Sequence, residues 1–372
     1  MKFKVDKGIF QKAISTVEGI IPARDIRSVI SNVLIETQGD KIVLTATDLE
    51  MGIKTSVPAV ISEKGSTTLP ARKLIQVIRE YNCPEINFSS NDEHKIILQD
   101  ASGDTKAAKT TIMGSSSEDY PVIPTLSDEK YLNFPPAVSM EMIRKTSYAV
   151  AEEDSRYVFN GLYISNKDKN VTFVGTDGRR LSRISREFPD TLPFEKGIIL
   201  PGKAVKEIQK LLDSGETGMI AFEARDRRVY FRIGDVDLIC KLIDGQYPDY
   251  EQVIPKKVDH TVKLSRVELE QAIRQVAVMA AEPSRQVRFA FNSEGITFNA
   301  TTPDLGESQA YMPCEYSGEE VMIAFNSGYV IDIIKSLNTE QISLGFSSAS
   351  SPATLKDPDD KDFISVIMPM KI

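Results

Sequence analysis

Residues Val171–Leu181 read VTFVGTDGRRL, a period-two strand with Val171, Phe173 and Gly175 on one face, running into a Thr-Asp-Gly turn. Ile42–Asp48 (IVLTATD) has the same shape, with Ile42, Leu44 and Ala46 on one face. Ile296–Pro303 (ITFNATTP) repeats it with Ile296, Phe298 and Ala300. The three stretches start at 42, 171 and 296, a spacing of about 125 to 129 residues. A unit of that length written three times accounts for the 372-residue chain.

The surroundings of each stretch repeat as well. Ahead of it lies an amphipathic helix. The first follows Asp6 as N-cap, with Ile9, Phe10, Ala13, Ile14 and Val17 as its apolar stripe. The second is expected after Ser139, with Met140 and Ile143 inward. The third follows Ser265, where Glu268 has capping-box spacing and Leu264 with Leu269 staple spacing; Val267, Ala272, Ile273 and Val276 are its expected inner face. Each stretch is one arm of a hairpin, and a further helix follows, opened by Pro70 in the first unit and by Pro201 in the second. Tyr120-Pro121 with Ile123-Pro124 closes the first unit, and Tyr247-Pro248 with Ile254-Pro255 closes the second. The expected domains are therefore 1–125, 126–255 and 256–372, of α+β class, each with two helices packed on antiparallel sheets. Arrays of like units have ends that can meet head to tail and close into a ring.

A hydrophobic fraction of 41% and a charged fraction of 26% describe an ordinary globular chain with real cores. The net charge of −8 gives no bulk sign of nucleic-acid binding, so any basic surface has to arise by placement. Cys83, Cys240 and Cys314 are isolated, form neither metal spacing nor a disulfide framework, and suit a reducing cytoplasm. The first residues, MKFKVDKGIF, lack the apolar core of a signal peptide, and no run reaches membrane-spanning length. Expected are a cytoplasmic location and no membrane partner.

Catalytic signals are sparse. His94 and His260 stand without partner motifs, and no phosphate-binding loop, nucleophile elbow or zinc-protease motif is present. Asp48 and Asp177 recur after equivalent strands, and a hydrolase could be imagined on that pair. A turn that needs an Asx side chain explains the recurrence more simply. Neither an enzyme activity nor a metal or cofactor is expected.

Lys7, Lys12, Arg72, Lys73, Arg79, Arg144, Lys145, Lys203, Lys206, Lys210, Arg266, Arg274 and Lys335 fall on the expected helices. Singly they are ordinary solvated charges. Facing one way they would attract phosphates without reading bases. The terminal VIMPMKI (Val366–Ile372) and TDGRRL (Thr176–Leu181) combine apolar and polar groups, and methionines suit an adaptable peptide groove.

These residues carry a resemblance. The chain resembles the bacterial DNA polymerase sliding clamp, the β subunit of DNA polymerase III, along its whole length. The matching residues are the MKF start, Asn32-Val33-Leu34, Arg156-Tyr157 with Asn160-Gly161, Thr176-Asp177-Gly178 with Arg180-Leu181, Leu242–Gly245 (LIDG) with Tyr247–Tyr250 (YPDY), and Met368-Pro369-Met370. The resemblance implies three clamp domains, a head-to-tail homodimeric ring around duplex DNA held without sequence preference, and a processivity role without catalysis. It implies as partners the replicative polymerase, a clamp loader and other proteins with clamp-binding motifs. It further implies a peptide pocket of Phe159, Thr176, Gly178, Arg179, Arg180, Leu181, Pro248, Val253, Val366, Ile367, Met368, Pro369, Met370, Lys371 and Ile372. Arg24, Arg72, Lys73, Arg156, Tyr157, Lys203 and Lys206 stand at or near DNA-contacting positions of the family. Leu74 and Ile78 on one side, with Val278 and Met279 on the other, are the expected dimer contacts. Arg179 stands where the family often has His, Gln252 where it often has a basic residue, and Lys371-Ile372 replace Arg-Leu; these bear on partner preference. The alternative reading is a repeat-built peptide-binding scaffold with no DNA role.

Overall fold

The computed structural model describes residues 1–22, 28–102, 108–124, 132–192, 194, 196–213 and 220–372. Among these lie six α-helices: α1 (Lys7–Glu18), α2 (Ala71–Glu80), α3 (Pro136–Thr146), α4 (Gly202–Asp213), α5 (Arg266–Ala277) and α6 (Ser327–Ser336). Asp6 caps α1 by accepting from Ile9 N at 2.8 Å, and Ser265 caps α5 by accepting from Glu268 N at 3.4 Å. The α3 start differs from expectation. Pro136 opens the helix, and Ser139 lies buried within it, because proline's fixed φ suits the first helical turn. In α5 the inner face is Leu269, Ala272, Ile273 and Val276, while Val267 is exposed.

The chain forms two compact units. One comprises Met1–Pro136 and Lys206–Leu242, the other Ala137–Val205 and Ile243–Ile372. The middle repeat contributes strands to both.

In the first unit, an antiparallel sheet of eight strands runs Leu132–Phe134, Ile220–Arg225, Arg228–Ile233, Val236–Lys241, Met51–Pro58, Lys41–Thr47, Asn32–Gln38, Ser66–Pro70. Its central seam joins two repeats, since Val236–Lys241 pairs with Met51–Pro58 from Val236↔Thr55 to Cys240↔Met51. A five-stranded sheet runs Val60–Glu63, Lys2–Asp6, Glu85–Ser90, Lys95–Asp100, Lys109–Met113, so Lys109–Met113 is an edge. α1 packs on α2 and on strands Met51–Pro58 and Lys41–Thr47. α2 offers Ala71, Leu74, Ile75 and Ile78 as its buried stripe, the i, i+3, i+4, i+7 pattern of a helix with one buried face.

The second unit repeats the plan. Its eight-stranded sheet runs Ile198–Pro201, Gly161–Lys167, Asn170–Thr176, Arg180–Glu187, Phe363–Ile367, Ala353–Lys356, Gln341–Phe346, His260–Ser265. Here Arg180–Glu187 pairs with Phe363–Ile367 from Arg180↔Ile367 to Ile184↔Phe363. A four-stranded sheet runs Gly306–Pro313, Gly295–Thr302, Gln286–Asn292, Val321–Asn326, leaving Gly306–Pro313 as an edge beside α5.

α3 is held to the turn before Phe363 by charge. Lys145, expected on a solvated helix face, is 4% exposed. Its Nζ lies 2.9 Å from Glu141, 2.7 Å from Asp360 and 3.9 Å from Asp357. Arg186 also binds Glu141, at 2.7 Å, and Asp360. Burial alone would raise the Glu141 and Asp360 carboxyls; hydrogen bonds from Arg186 and Lys145 outweigh it and hold both below the ordinary carboxylate values of 4.5 and 3.8. A carboxylate depressed on folding contributes stability above its unfolded pKa and loses it as pH falls through the folded value. Urea midpoints should therefore hold steady down to about pH 5 and fall over the interval below about pH 4, where the unfolded-state carboxyls take up protons first. The Glu141→Gln, Asp360→Asn double variant should start lower and fall less across that interval.

Candidate functional site

The turn after strand Asn170–Thr176 is built by its own side chains. Thr176 Oγ1 donates to Arg180 O at 2.6 Å and accepts from Gly178 N at 3.1 Å. Asp177 Oδ1 accepts from Arg179 N and Arg180 N at 2.9 and 3.0 Å. The Thr47-Asp48 turn is made the same way: Thr47 Oγ1 donates to Met51 O, and Asp48 Oδ1 accepts from Glu50 N and Met51 N. Each aspartate serves its own turn, as Asx side chains do.

Gly178 has φ +81, a conformation that favours glycine. A Cβ there would also lie 2.8 Å from the Arg156 guanidinium. Arg156 binds Asp154 through Nε and Nη2 at 2.9 and 2.7 Å, donates to Asp177 O at 3.2 Å, and lies over the Phe159 ring at 4.5 Å. The Arg156 hydrogen bonds pull the Asp154 carboxyl down to about 2.

Beside this turn opens a groove of about 160 Å³ within the second unit. Of the residues expected in a peptide pocket, it is lined by Phe159, Thr176, Gly178, Arg179, Arg180, Leu181, Pro248, Val253, Val366 and Met368. Phe159, Leu181 and Val366 form its floor and belong to one buried apolar cluster with Val174, Ile199, Tyr247 and Ile364. Val253 and Met368, 48% and 42% exposed, stand at the rim. Asp249 and Tyr250 also line it and were missed. They sit in the Tyr247–Tyr250 run, where Asp249 caps the short 3-10 turn Tyr250–Val253 by accepting from Glu251 N.

The rest of the terminal segment lies outside the lining. Ile367 is fully buried, the alternation that a strand imposes after Val366. Met370 N donates to Ala324 O at 2.7 Å, and Gln286 Nε2 donates to Lys371 O at 2.8 Å. Pro369 is half-buried, and Ile372 is exposed. Arg180 is fixed by Asp177 at 3.1 Å and Asp332 at 2.6 Å, and its guanidinium lies over Tyr329 at 4.4 Å.

The other expected sites divide. Arg72 and Lys73 are exposed in the first turn of α2, and Lys203 and Lys206 are exposed on α4. Arg156 is committed to Asp154 beside the groove, with exposed Tyr157 next to it. Arg24 lies outside the described residues. Leu74 and Ile78 correct an expectation. Both are fully buried within this chain rather than exposed, because they belong to the α2 stripe that packs inward. Val278 is 82% exposed, whereas Met279 is half-buried, its Cε 3.4 Å from where a Cβ on Gly306 would stand. Among the described residues no group of three His, Cys, Asp or Glu is placed to hold a metal ion, and no helix is long and apolar enough to cross a membrane.

The site is a groove with an apolar floor and a mixed rim, carried on a fold of repeated α+β units. Comparison with known proteins gives it a family. The three domain models of the DNA polymerase III beta subunit match in order: the N-terminal domain over residues 1–124, the central domain over 133–249 and the C-terminal domain over 251–371. The beta sliding clamp of Chlamydia pneumoniae is 32% identical over 373 residues, covering all of this chain and 99% of that protein. The beta sliding clamp of Escherichia coli K12 is 28% identical, with full coverage of both chains. A crystal structure of the Bartonella birtlesii sliding clamp bound to griselimycin superposes with a TM-score of 0.93, at 27% identity and full coverage of both chains. The chain belongs to the DNA polymerase III beta subunit family.

Gly178→Ala tests the local account of the groove. It should cost about 1–2 kcal/mol for the left-handed backbone, with a further loss as Arg156 is pushed off Phe159. Urea unfolding checks the first part. A Gly178→Asn variant, which tolerates φ > 0 better, should recover part of the stability.

Proposed function

We propose that this chain is a DNA sliding clamp: a ring of two copies that encircles duplex DNA and tethers the replicative polymerase and other partners through the groove. The observation that carries the ring is a pair of unmatched edges. The strand after each hairpin (Met51–Pro58, Arg180–Glu187, Gly306–Pro313) and the last sheet strand of each repeat (Lys109–Met113, Val236–Lys241, Phe363–Ile367) form corresponding sets. Two cross-repeat pairs use four of these six strands. Gly306–Pro313 and Lys109–Met113 remain as sheet edges. Exposed Met113, Leu305, Tyr311 and Val278 lie on or beside them. Open edges of this kind invite pairing with another chain. Joining these two edges between copies makes a heterologous contact, which closes when the rotation allows. The dimer contact is thus strand to strand, with Val278 beside it and without Leu74 and Ile78.

A ring holds DNA by topology, so its phosphate contacts need only be weak and sequence-blind. Exposed Arg72 and Lys73 on α2 and Lys203 and Lys206 on α4 are the proposed contacts, with Arg24 as a further one. A clamp loader is the proposed means of opening the ring, and the cytoplasm its place of action. The three domains are proposed at 1–125, 126–255 and 256–372. As a member of the beta-subunit family the chain is an accessory subunit, not the catalytic one. The groove takes a short extended peptide with apolar side chains, which seat on Phe159, Leu181 and Val366 while Met368 adjusts above. Griselimycin, bound by the Bartonella relative, is proposed to occupy the same groove.

Three measurements test this. Val278→Asp should yield monomers by sedimentation, because it places an unpaired charge in the interface; a stable dimer would contradict the edge pairing. Lys203→Ala and Lys206→Ala should weaken DNA association equally on every sequence, with the salt slope falling by about 0.9 for each phosphate no longer neutralised. Met368→Ala should cost about 1–2 kcal/mol of griselimycin affinity by calorimetry while leaving the dimer intact; unchanged affinity would sink the groove assignment.

A further inference from the structure

The groove depends on the register of two strands, because its floor residues Leu181 and Val366 are a register pair across the seam between Arg180–Glu187 and Phe363–Ile367. The next pair, Ser182↔Ser365, is tied to the end of α3. Ser182 Oγ donates to Lys145 O and lies 3.1 Å from Ser365 Oγ, which in turn bonds Tyr148 OH in the turn after α3. The far end of the same seam is held by α3 side chains. Glu141 binds Arg186 of one strand, Lys145 binds Asp360 just before the other, and Arg186 and Asp360 bind each other. Lys145 Nζ also lies over the ring of Phe363, the partner of Ile184, at 5.1 Å. α3 is thus a splint bonded across both strands at two levels, with the groove immediately beyond the second. None of Glu141, Lys145, Arg186 and Asp360 lines the groove.

Lys145 is the member that links both levels. Its ammonium joins the ionic cluster, and its carbonyl accepts from Ser182. The side chain is 5% exposed, so removing its charge leaves Glu141 and Asp360 with the Arg186 ion pairs and takes away the cation beside Asp357. Part-buried carboxylates that lose a cation draw water or move apart, and Asp360 lies in the turn that leads into the strand carrying Val366.

We propose that Lys145 is a positioning residue for the groove, setting the spacing of Leu181 and Val366 through the ionic splint on α3. The inference rests on the groove being the peptide site, and the experiment separates the two. Griselimycin affinity is measured by calorimetry on the full chain, well below its unfolding temperature, for Lys145→Met, Lys145→Arg, Asp360→Asn and Met368→Ala. Lys145→Met should weaken binding at least about fivefold, the low end for coupled sites. Asp360→Asn, the milder change if Lys145→Met fails to fold, should weaken binding in the same direction. Lys145→Arg, which keeps the charge, should recover most of the affinity. If Lys145→Met and Asp360→Asn lower the melting temperature but bind griselimycin as the parent does, the cluster only stabilises the fold and the proposal is wrong. If Met368→Ala also binds normally, it is the groove reading itself that fails.

Discussion

The constraint on which the structure depends is the pairing of strand edges across repeats. Backbone N–H and C=O groups at a sheet edge must find partners or face water. In each unit that demand is met by a strand from a different repeat: Val236–Lys241 against Met51–Pro58, and Phe363–Ile367 against Arg180–Glu187. Two consequences follow from this one rule. Strands far apart in sequence become seams of eight-stranded sheets, while the counterparts of the seam strands in the first and last repeats, Lys109–Met113 and Gly306–Pro313, stand at sheet edges. The backbone chemistry that closes the internal seams is available at those edges to a second copy.

The seams are alike in plan but differ in use. At the first, Lys241 N donates to Glu50 O; at the second, Met368 N donates to Arg179 O. The turns beside them share their threonine and aspartate hydrogen bonds. What differs is what fills the space. Leu49 (φ +78) stands where the second turn has Gly178, and Gly52 stands where it has Leu181. Against Gly52 packs Ile123, whose Cγ2 would lie 2.7 Å from a Cβ placed there. The first seam is plugged by its own chain. At the second, the closing segment is longer by the residues of the 3-10 turn Tyr250–Val253, which forms a wall and leaves the floor open.

What sequence could show divides along the same line. The hairpin of Asn32–Gln38 and Lys41–Thr47, which turns at Gly39-Asp40, and the caps at Asp6 and Ser265 are written in neighbouring residues, so period and capping chemistry expose them. The groove residues were legible through the resemblance, since they cluster in short motifs that fold next to one another. The burial of Lys145 was not legible. Its helical position reads as a solvated cation, and the acids that bury it come from 357–360, more than two hundred residues away. Leu74 and Ile78 failed for a related reason: a helix stripe shows which residues share a face, not whether that face meets its own sheet or another chain. Asp249 and Tyr250 were missed although they lie in the matched Tyr247–Tyr250 motif; the signal was present as the Asx cap of a short turn.

Whether the seam-counterpart edges join two copies into a closed ring is a question that DNA topology answers. Protein loaded by a clamp loader and ATP onto nicked circular DNA is isolated by gel filtration, and half is then cut once with a restriction enzyme. A closed ring stays on the circle and runs off the linear form at moderate salt. Equal retention on both forms would mean that the chain grips DNA by contact, and would contradict the ring.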